Sequence, residues 1–255
     1  MAYQLTKDKD GLILFGHYPQ SYKPADVLIT DEPNRYGVCS GSDGYRYLYD
    51  VESDEFFRIE PIRWRVLREK DGKLLLLSDK VLDYRPFDEG GTNAYLWSDL
   101  CDWLTDDFFY DAFSPEERKH VLATSIKCDE ESATPPAGAV SDEDLACNWA
   151  GAVDPRNAEP FKAKVFLLSV RNVTTAEFGF CADPYLSDPL RAAYKTDYAA
   201  ASFRTSGDYA FWWLRSILPF SGSKARVVTP DGNLDDSSDV DLLCGIRPAI
   251  RIKVV

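Results

Sequence analysis

Apolar residues recur along the chain at two spacings, and the change from one to the other sets the elements it predicts. Leu12 to Phe15 is a short apolar run of strand type. Ile62, Trp64 and Val66 then alternate with Arg63, Arg65 and Leu67, the period of two that marks a half-buried strand. Asp71-Gly72 offers a turn, and Lys73 to Ser78 follows as a second strand whose interior, Leu74 to Leu77, is wholly apolar, so Pro61 to Ser78 reads as a β-hairpin. Next, Trp97, Leu100, Cys101, Leu104 and Phe108 fall at helical spacing, with Asp99, Asp102 and Asp106 on the opposite face. Ser114-Pro115-Glu116-Glu117 announces a second helix, reaching to about Ala123: the Ser114 hydroxyl can cap the third amide, Glu117 can reciprocate, and Pro115 suits the first turn.

From Asp129 to Pro160 the periodicity disappears among prolines, glycines and acidic residues, which predicts a long loop. Strands return at Lys164 to Ser169, Tyr209 to Ser216, Ala225 to Thr229 and Ile246 to Val254. In the last, Ile246, Ile250, Ile252 and Val254 face one way while Arg247, Arg251 and Lys253 face the other. Residues 31–57, with Tyr45, Tyr47 and Tyr49 alternating, read as an inserted hairpin. No linker separates domains, so the expectation is one α+β domain over 1–255.

Composition narrows the function classes. An apolar fraction of 45% excludes disorder as the main state, and no apolar run approaches the roughly 20 residues a spanning helix needs. With 42 acidic against 29 basic side chains and a formal charge of -13, nucleic acid and anionic membranes are poor partners. The first ten residues lack a secretory leader's apolar stretch, so a cytoplasmic location is expected, with the sequon Asn172-Val173-Thr174 a chance match. Cys39, Cys101, Cys128, Cys147, Cys181 and Cys244 contain no close pair, so they are expected as thiols and not as a zinc site.

Several segments together resemble a bacterial family catalogued as domain of unknown function 6273. They are Leu14-Phe15-Gly16 with Tyr18, Pro61 to Leu67, Leu74 to Ser78, Leu100 through Trp103-Leu104 to Phe113-Ser114, Val165 to Ser169, Trp212-Trp213-Leu214-Arg215-Ser216, and Gly245-Ile246-Arg247-Pro248-Ala249. Cys101-Asp102 and Thr105 depart from the pattern, which commonly has Arg and Asn there. The resemblance implies a C-type lectin-like fold, akin to that of formylglycine-generating enzymes: a mixed, mostly antiparallel sheet flanked by two helices, with long loops carrying the ligand site.

The candidate site follows from the two most specific segments. On a strand, Phe211, Trp213 and Arg215 share one face and Trp212, Leu214 and Ser216 the other. Trp212, Trp213, Arg215 and Arg247 are therefore the candidate ligand-binding residues, with indoles stacking on apolar rings and guanidinium forks taking carboxylates or hydroxyls. A structural reading stands beside it, with both indoles in the core and Arg247 pinning a loop. The oxygen-rich run Asp231, Asn233, Asp235, Asp236 and Asp239 fails the calcium-loop pattern at Asp236 and Leu242. Glu32-Pro33-Asn34, the tripeptide of mannose-binding lectins, lies far from the Trp212 segment and reads as a solvated loop, and the Asp99, Asp102, Asp106 stripe reads as an exposed face. No nucleophile elbow, phosphate loop or zincin motif occurs, and His17 and His120 leave few routes to histidine catalysis. The sequence thus points to a non-catalytic module, without cofactor or metal, for a small molecule, glycan or protein. The alternatives are a carboxylate-pair hydrolase, a thiol oxidase using Cys181 and Cys244, or an assembly protein.

Overall fold

The computed structural model describes residues 5–126, 160–203, 207–218, 221–234 and 236–254. Its framework is the expected hairpin. β5 (Glu55–Lys70) and β6 (Lys73–Ser78) pair antiparallel up to Lys70↔Lys73, and Asp71 and Gly72 make the turn at φ 52° and 66°. Positive φ at both turn residues matches the strand twist of a two-residue hairpin, which is why Asp-Gly stands there. The strict alternation expected along β5 fails at one point. A bulge between Val66 and Arg68 inserts Leu67 into the core and leaves Val66 41% exposed, because one extra residue reverses a period of two.

Around this hairpin the larger sheet runs β1 (Thr6–Lys7), β2 (Ile13–Tyr22), β5, β6, β15 (Ala249–Lys253) and β10 (Val165–Phe166), antiparallel at every pairing. The 31–57 segment carries the antiparallel pair β3 (Val38–Ser40) and β4 (Arg46–Asp50), and β4 extends the sheet on β5. Its small core is Val27, Cys39 and Tyr47, while Tyr45 stays exposed and Tyr49 packs on Phe56.

The helical layer follows the expected pattern with two corrections. Trp97 precedes the helix and is 61% exposed. Ser98 caps α1 (Asp99–Trp103) through the Cys101 amide, and the chain passes through a π turn, Leu104–Phe108, into α2 (Phe109–Ala112). The π turn lets Phe108 and Phe109 both enter the core after Leu100 and Leu104. The Ser114–Glu117 capping box forms as expected, but its helix α3 (Pro115–Arg118) is a single turn. It ends short of Ala123 because Val121 bridges Ile252 and the Leu122 amide donates to Arg251. Glu117 also accepts the Gly16 amide, tying the cap to β2.

A second sheet of order β13 (Asp236–Asp239), β12 (Lys224–Val228), β11 (Trp212–Ile217), β14 (Cys244–Ile246) and β7 (Asp83–Arg85) carries the signature residues. Here β11 and β14 run parallel, Trp212 opposite Gly245. The single last strand expected over Ile246 to Val254 is two strands: β14 belongs to this sheet and β15 to the larger one. Pro248, which has no N–H for a ladder, sits at the crossing. A third pair, β8 (Thr124–Ile126) with β9 (Phe161–Ala163), closes the described structure on either side of the expected loop, which lies outside the described residues except at Pro160. Lys164 to Ser169 yields only the two-residue β10, and Ser169 instead caps a helical turn at Val170–Val173. The fold is mixed, with mostly antiparallel sheets, and the main hydrophobic cluster among the described residues runs from Ile13 to Ile252, beside the small one formed by Val27, Cys39 and Tyr47. Among the described residues no helix is long and apolar enough to cross a membrane.

Candidate functional site

The structure brings the terminal signature segments side by side and seals them. Trp212, Trp213, Arg215 and Arg247 are all at most 1% exposed, so none of the four lines an open cleft. Neither face of β11 is open, because it is an inner strand covered on both sides, and every residue from Trp212 to Ile217 is buried. Each indole N–H is satisfied by main chain: Trp212 donates to the Arg191 carbonyl and Trp213 to the Arg85 carbonyl, both at 3.0 Å. Gly245 is required at the parallel crossing, since a Cβ there would stand 2.5 Å from the Phe211 carbonyl oxygen and 2.8 Å from a Val81 methyl.

The guanidinium groups point to separate regions. Arg215 donates to the Leu167 carbonyl at 2.7 Å and to Asn172 Oδ1 at 2.9 Å. Arg247 lies 5.1 Å over the Trp212 ring and donates to the carbonyls of Ser78, Leu190 and Arg191 at 2.9–3.1 Å and of Asp79 at 3.4 Å. Burial pushes the Arg247 pKa down to about 9, with Arg65 adding to the shift and Asp79 opposing it. Irregular loops carry carbonyls that no ladder satisfies, and a guanidinium offers five donors in a fixed fork. Arg247 therefore pins the loops, as the structural reading had it.

The sequence reading missed the third member of this set. Arg191 is fully buried and donates to the carbonyls of Gly232 (2.6 Å), Cys181 (2.9 Å), Asp183 (3.0 Å), Leu186 (2.5 Å) and Val173 (3.3 Å). Its charge partner is buried Asp188, 3.8 Å away, which also accepts the Cys181 and Leu190 amides. Burial lowers the Arg191 pKa, and Asp188 opposes the shift. No local pattern marked Arg191, because its acceptors are spread along the chain from Val173 to Gly232.

What lies open is the adjoining surface. A groove of about 810 Å³ is floored by Tyr84, Val227 and Cys244, with Tyr209, Phe211, Leu242 and Leu243 exposed at 39–53% along it. Phe203, Pro230, Ser237, Ser238 and Asp241 complete the lining. Tyr194 stacks on Tyr209 at 4.2 Å between centroids and extends the aromatic surface. The elements explain the placement: Phe211 enters β11 just before the sealed indoles, and Leu242-Leu243 enters β14 just before the crossing glycine. An apolar doublet in an acidic turn, and an aromatic ahead of Trp212-Trp213, were the signals available.

A buried polar cluster lies beneath the other edge of this sheet. Asp83 accepts the Tyr18 hydroxyl at 2.7 Å and the Tyr84 amide at 2.8 Å, with Arg85 3.6 Å away and stacked over Trp103. Burial holds the Asp83 pKa above the ordinary carboxylate value despite Arg85 and these hydrogen bonds, and burial followed by the Asp83 charge raises those of Tyr18 and Tyr198.

The remaining candidates are accounted for locally. The Asp231 carboxylate is taken up by Thr229, Ser187 and Asn233, and Asp235 lies outside the described residues. Asn34 accepts the Tyr36 and Val38 amides in a turn of the insert, and Asp99, Asp102 and Asp106 are exposed. No disulfide joins Cys181 to Cys244. Cys181 is half-buried beside Asp188, whereas Cys244 is buried opposite Arg85. Cys39 and Cys101 are likewise in no disulfide, while Cys128 and Cys147 lie outside the described residues. Among the described residues no group of three or more His, Cys, Asp or Glu side chains could hold a metal ion.

Residues 71–254 match the family model described as a domain of unknown function (DUF6273). The span takes in β6, the helical layer and both signature segments, and leaves Leu14-Phe15-Gly16, Tyr18 and Pro61 to Leu67 outside it. No curated protein and no solved structure matches the chain.

Proposed function

The chain belongs to the domain of unknown function 6273 family, and from that premise we propose that it is a non-catalytic ligand-binding module whose site is the groove beside Phe211. The observation that carries this reading is the groove's lining. Four apolar side chains stay at 39–53% exposure around a concavity of about 810 Å³, within the range of about 300–1,000 Å³ typical of small-molecule sites. Trp212, Trp213, Arg215 and Arg247 take part as the rigid support of that surface. Site geometry survives only when the residues behind it are locked, and these four hold β11, β14 and the loops around them.

The lectin-like fold is part of the same proposal. Its support is a mostly antiparallel sheet, a helical layer and irregular loops that depend on buried arginines for their shape. A cytoplasmic location is likewise proposed, and cell fractionation tests it. Amide-resolved NMR titration with a library of small aromatic, aliphatic and glycan fragments tests the site. Shifts clustered on Phe203, Tyr209, Phe211, Ser237, Leu242 and Leu243 are the expected result. Binders that consistently shift residues elsewhere, or a library with no binder, overturn it. A second reading, an assembly surface, rests on the continuity of Tyr194 and Tyr209 with the groove. A stable dimer in light scattering, broken by Phe211→Ser, favours it instead.

A further inference from the structure

The groove is sided in charge as well as in polarity. Among the described residues that line it, Asp241 is the one charged side chain, and Ser237 and Ser238 add only hydroxyls. The rest is apolar, and four of those side chains, Tyr84, Phe203, Tyr209 and Phe211, present aromatic rings. The face of an aromatic ring is the negative end of its quadrupole and attracts ammonium groups, most strongly where water is displaced. A carboxylate at the same rim adds attraction of the same sign, and the chain's formal charge of -13 biases approach in the same direction. An anionic head group here would meet Asp241 with no cation among the described lining residues. A polyhydroxylated ligand would leave most of its hydroxyls against Val227, Pro230, Leu242 and Leu243 without partners.

We infer that the groove takes a small amphipathic cation, an apolar or aromatic body carrying an ammonium group. The body lies along Phe211, Leu242 and Leu243, and the head group lies near Asp241. This inference rests on the reading of the groove as the binding site, and its test separates the two.

Three probes share a phenyl ring and a two-carbon linker and differ only in the head group: phenethyltrimethylammonium, 2-phenylethanol and 3-phenylpropanoate. Each is titrated into the full chain while amide shifts of the groove residues are followed. The ammonium probe is expected to bind about tenfold tighter than the alcohol, with the carboxylate weakest. Asp241 is exposed, so Asp241→Asn should fold normally; it is expected to weaken the ammonium probe about threefold and leave the alcohol unchanged. Added salt should weaken only the ammonium probe. Equal binding of the ammonium and the alcohol, or tighter binding of the carboxylate, overturns the charge preference while the groove stands as a site. If none of the three shifts the groove residues, both readings fall.

Discussion

Replacing Arg191 with methionine keeps a long apolar stem and deletes the fork that gathers five main-chain carbonyls from Val173, Cys181, Asp183, Leu186 and Gly232. Arg191 is 0% exposed, and its bonds to Gly232 and Val173 are buried, so water cannot take over those two acceptors without opening the structure; the bonds to Cys181, Asp183 and Leu186 are part-buried. Leaving a buried acceptor unpaired costs about 1–3 kcal/mol, so the Gly232 and Val173 carbonyls alone give about 2 kcal/mol at the low end, with smaller losses from the three part-buried ones. Asp188 keeps its Cys181 and Leu190 amides but loses the guanidinium 3.8 Å away, which adds to the loss. Against a typical total of about 5–15 kcal/mol, Arg191→Met should remove a large share of the stability. Lysine provides a graded comparison. Its ammonium has three donors and cannot reproduce the fork, so Arg191→Lys should lose less than Arg191→Met and still fall measurably below the parent. Urea unfolding followed by tryptophan fluorescence reads both variants, and limited proteolysis should nick the 174–190 stretch in the lysine variant first. A methionine variant within about 1 kcal/mol of the parent would refute the claim that guanidinium-to-carbonyl bonds hold these loops.

Gly245→Ala should be among the most damaging single-atom changes. Its Cβ would sit 2.5 Å from the Phe211 carbonyl, a backbone atom that cannot swing aside, and a urea midpoint unchanged from the parent would count against that packing. Asp83 supplies a pH dependence. Its pKa is raised in the fold, so the native state binds the proton more tightly than the unfolded chain. That contribution is complete below about pH 3.9 and is lost as pH rises through the folded value. Asp83→Asn should flatten this part of the stability profile, and parallel profiles for parent and variant would show the raised value to be wrong. Phe211→Ser should cost little stability, about 1 kcal/mol or less, because Phe211 is already 42% exposed, while ligand shifts at the groove disappear. A loss of several kcal/mol would show Phe211 to be core.

Local physics was enough for much of what the chain alone disclosed. The β5–β6 hairpin, its Asp71-Gly72 turn, the capped Ser114 turn and the apolar stripe of α1 each depend on neighbours within a few residues, so spacing and residue type determine them. The same economy made Trp212, Trp213, Arg215 and Arg247 stand out as special, while the pairing of their two segments is a tertiary contact. Whether those side chains face solvent was decided by tertiary structure. A strand covered on both sides looks the same in sequence as one with a single buried face, and nothing local marks that the run from Ile246 to Val254 changes sheet at Pro248. The Leu67 bulge, the single turn of α3 and the Arg191 hub likewise arise from contacts between distant segments: a ladder that gains a residue, a bridge from Val121 to Ile252, and carbonyls that find their donor only when loops from Val173 to Gly232 converge. The open groove belongs to the same class, since its walls come from strand ends and turns far apart in the chain, and exposure is a property of their meeting and not of any one of them.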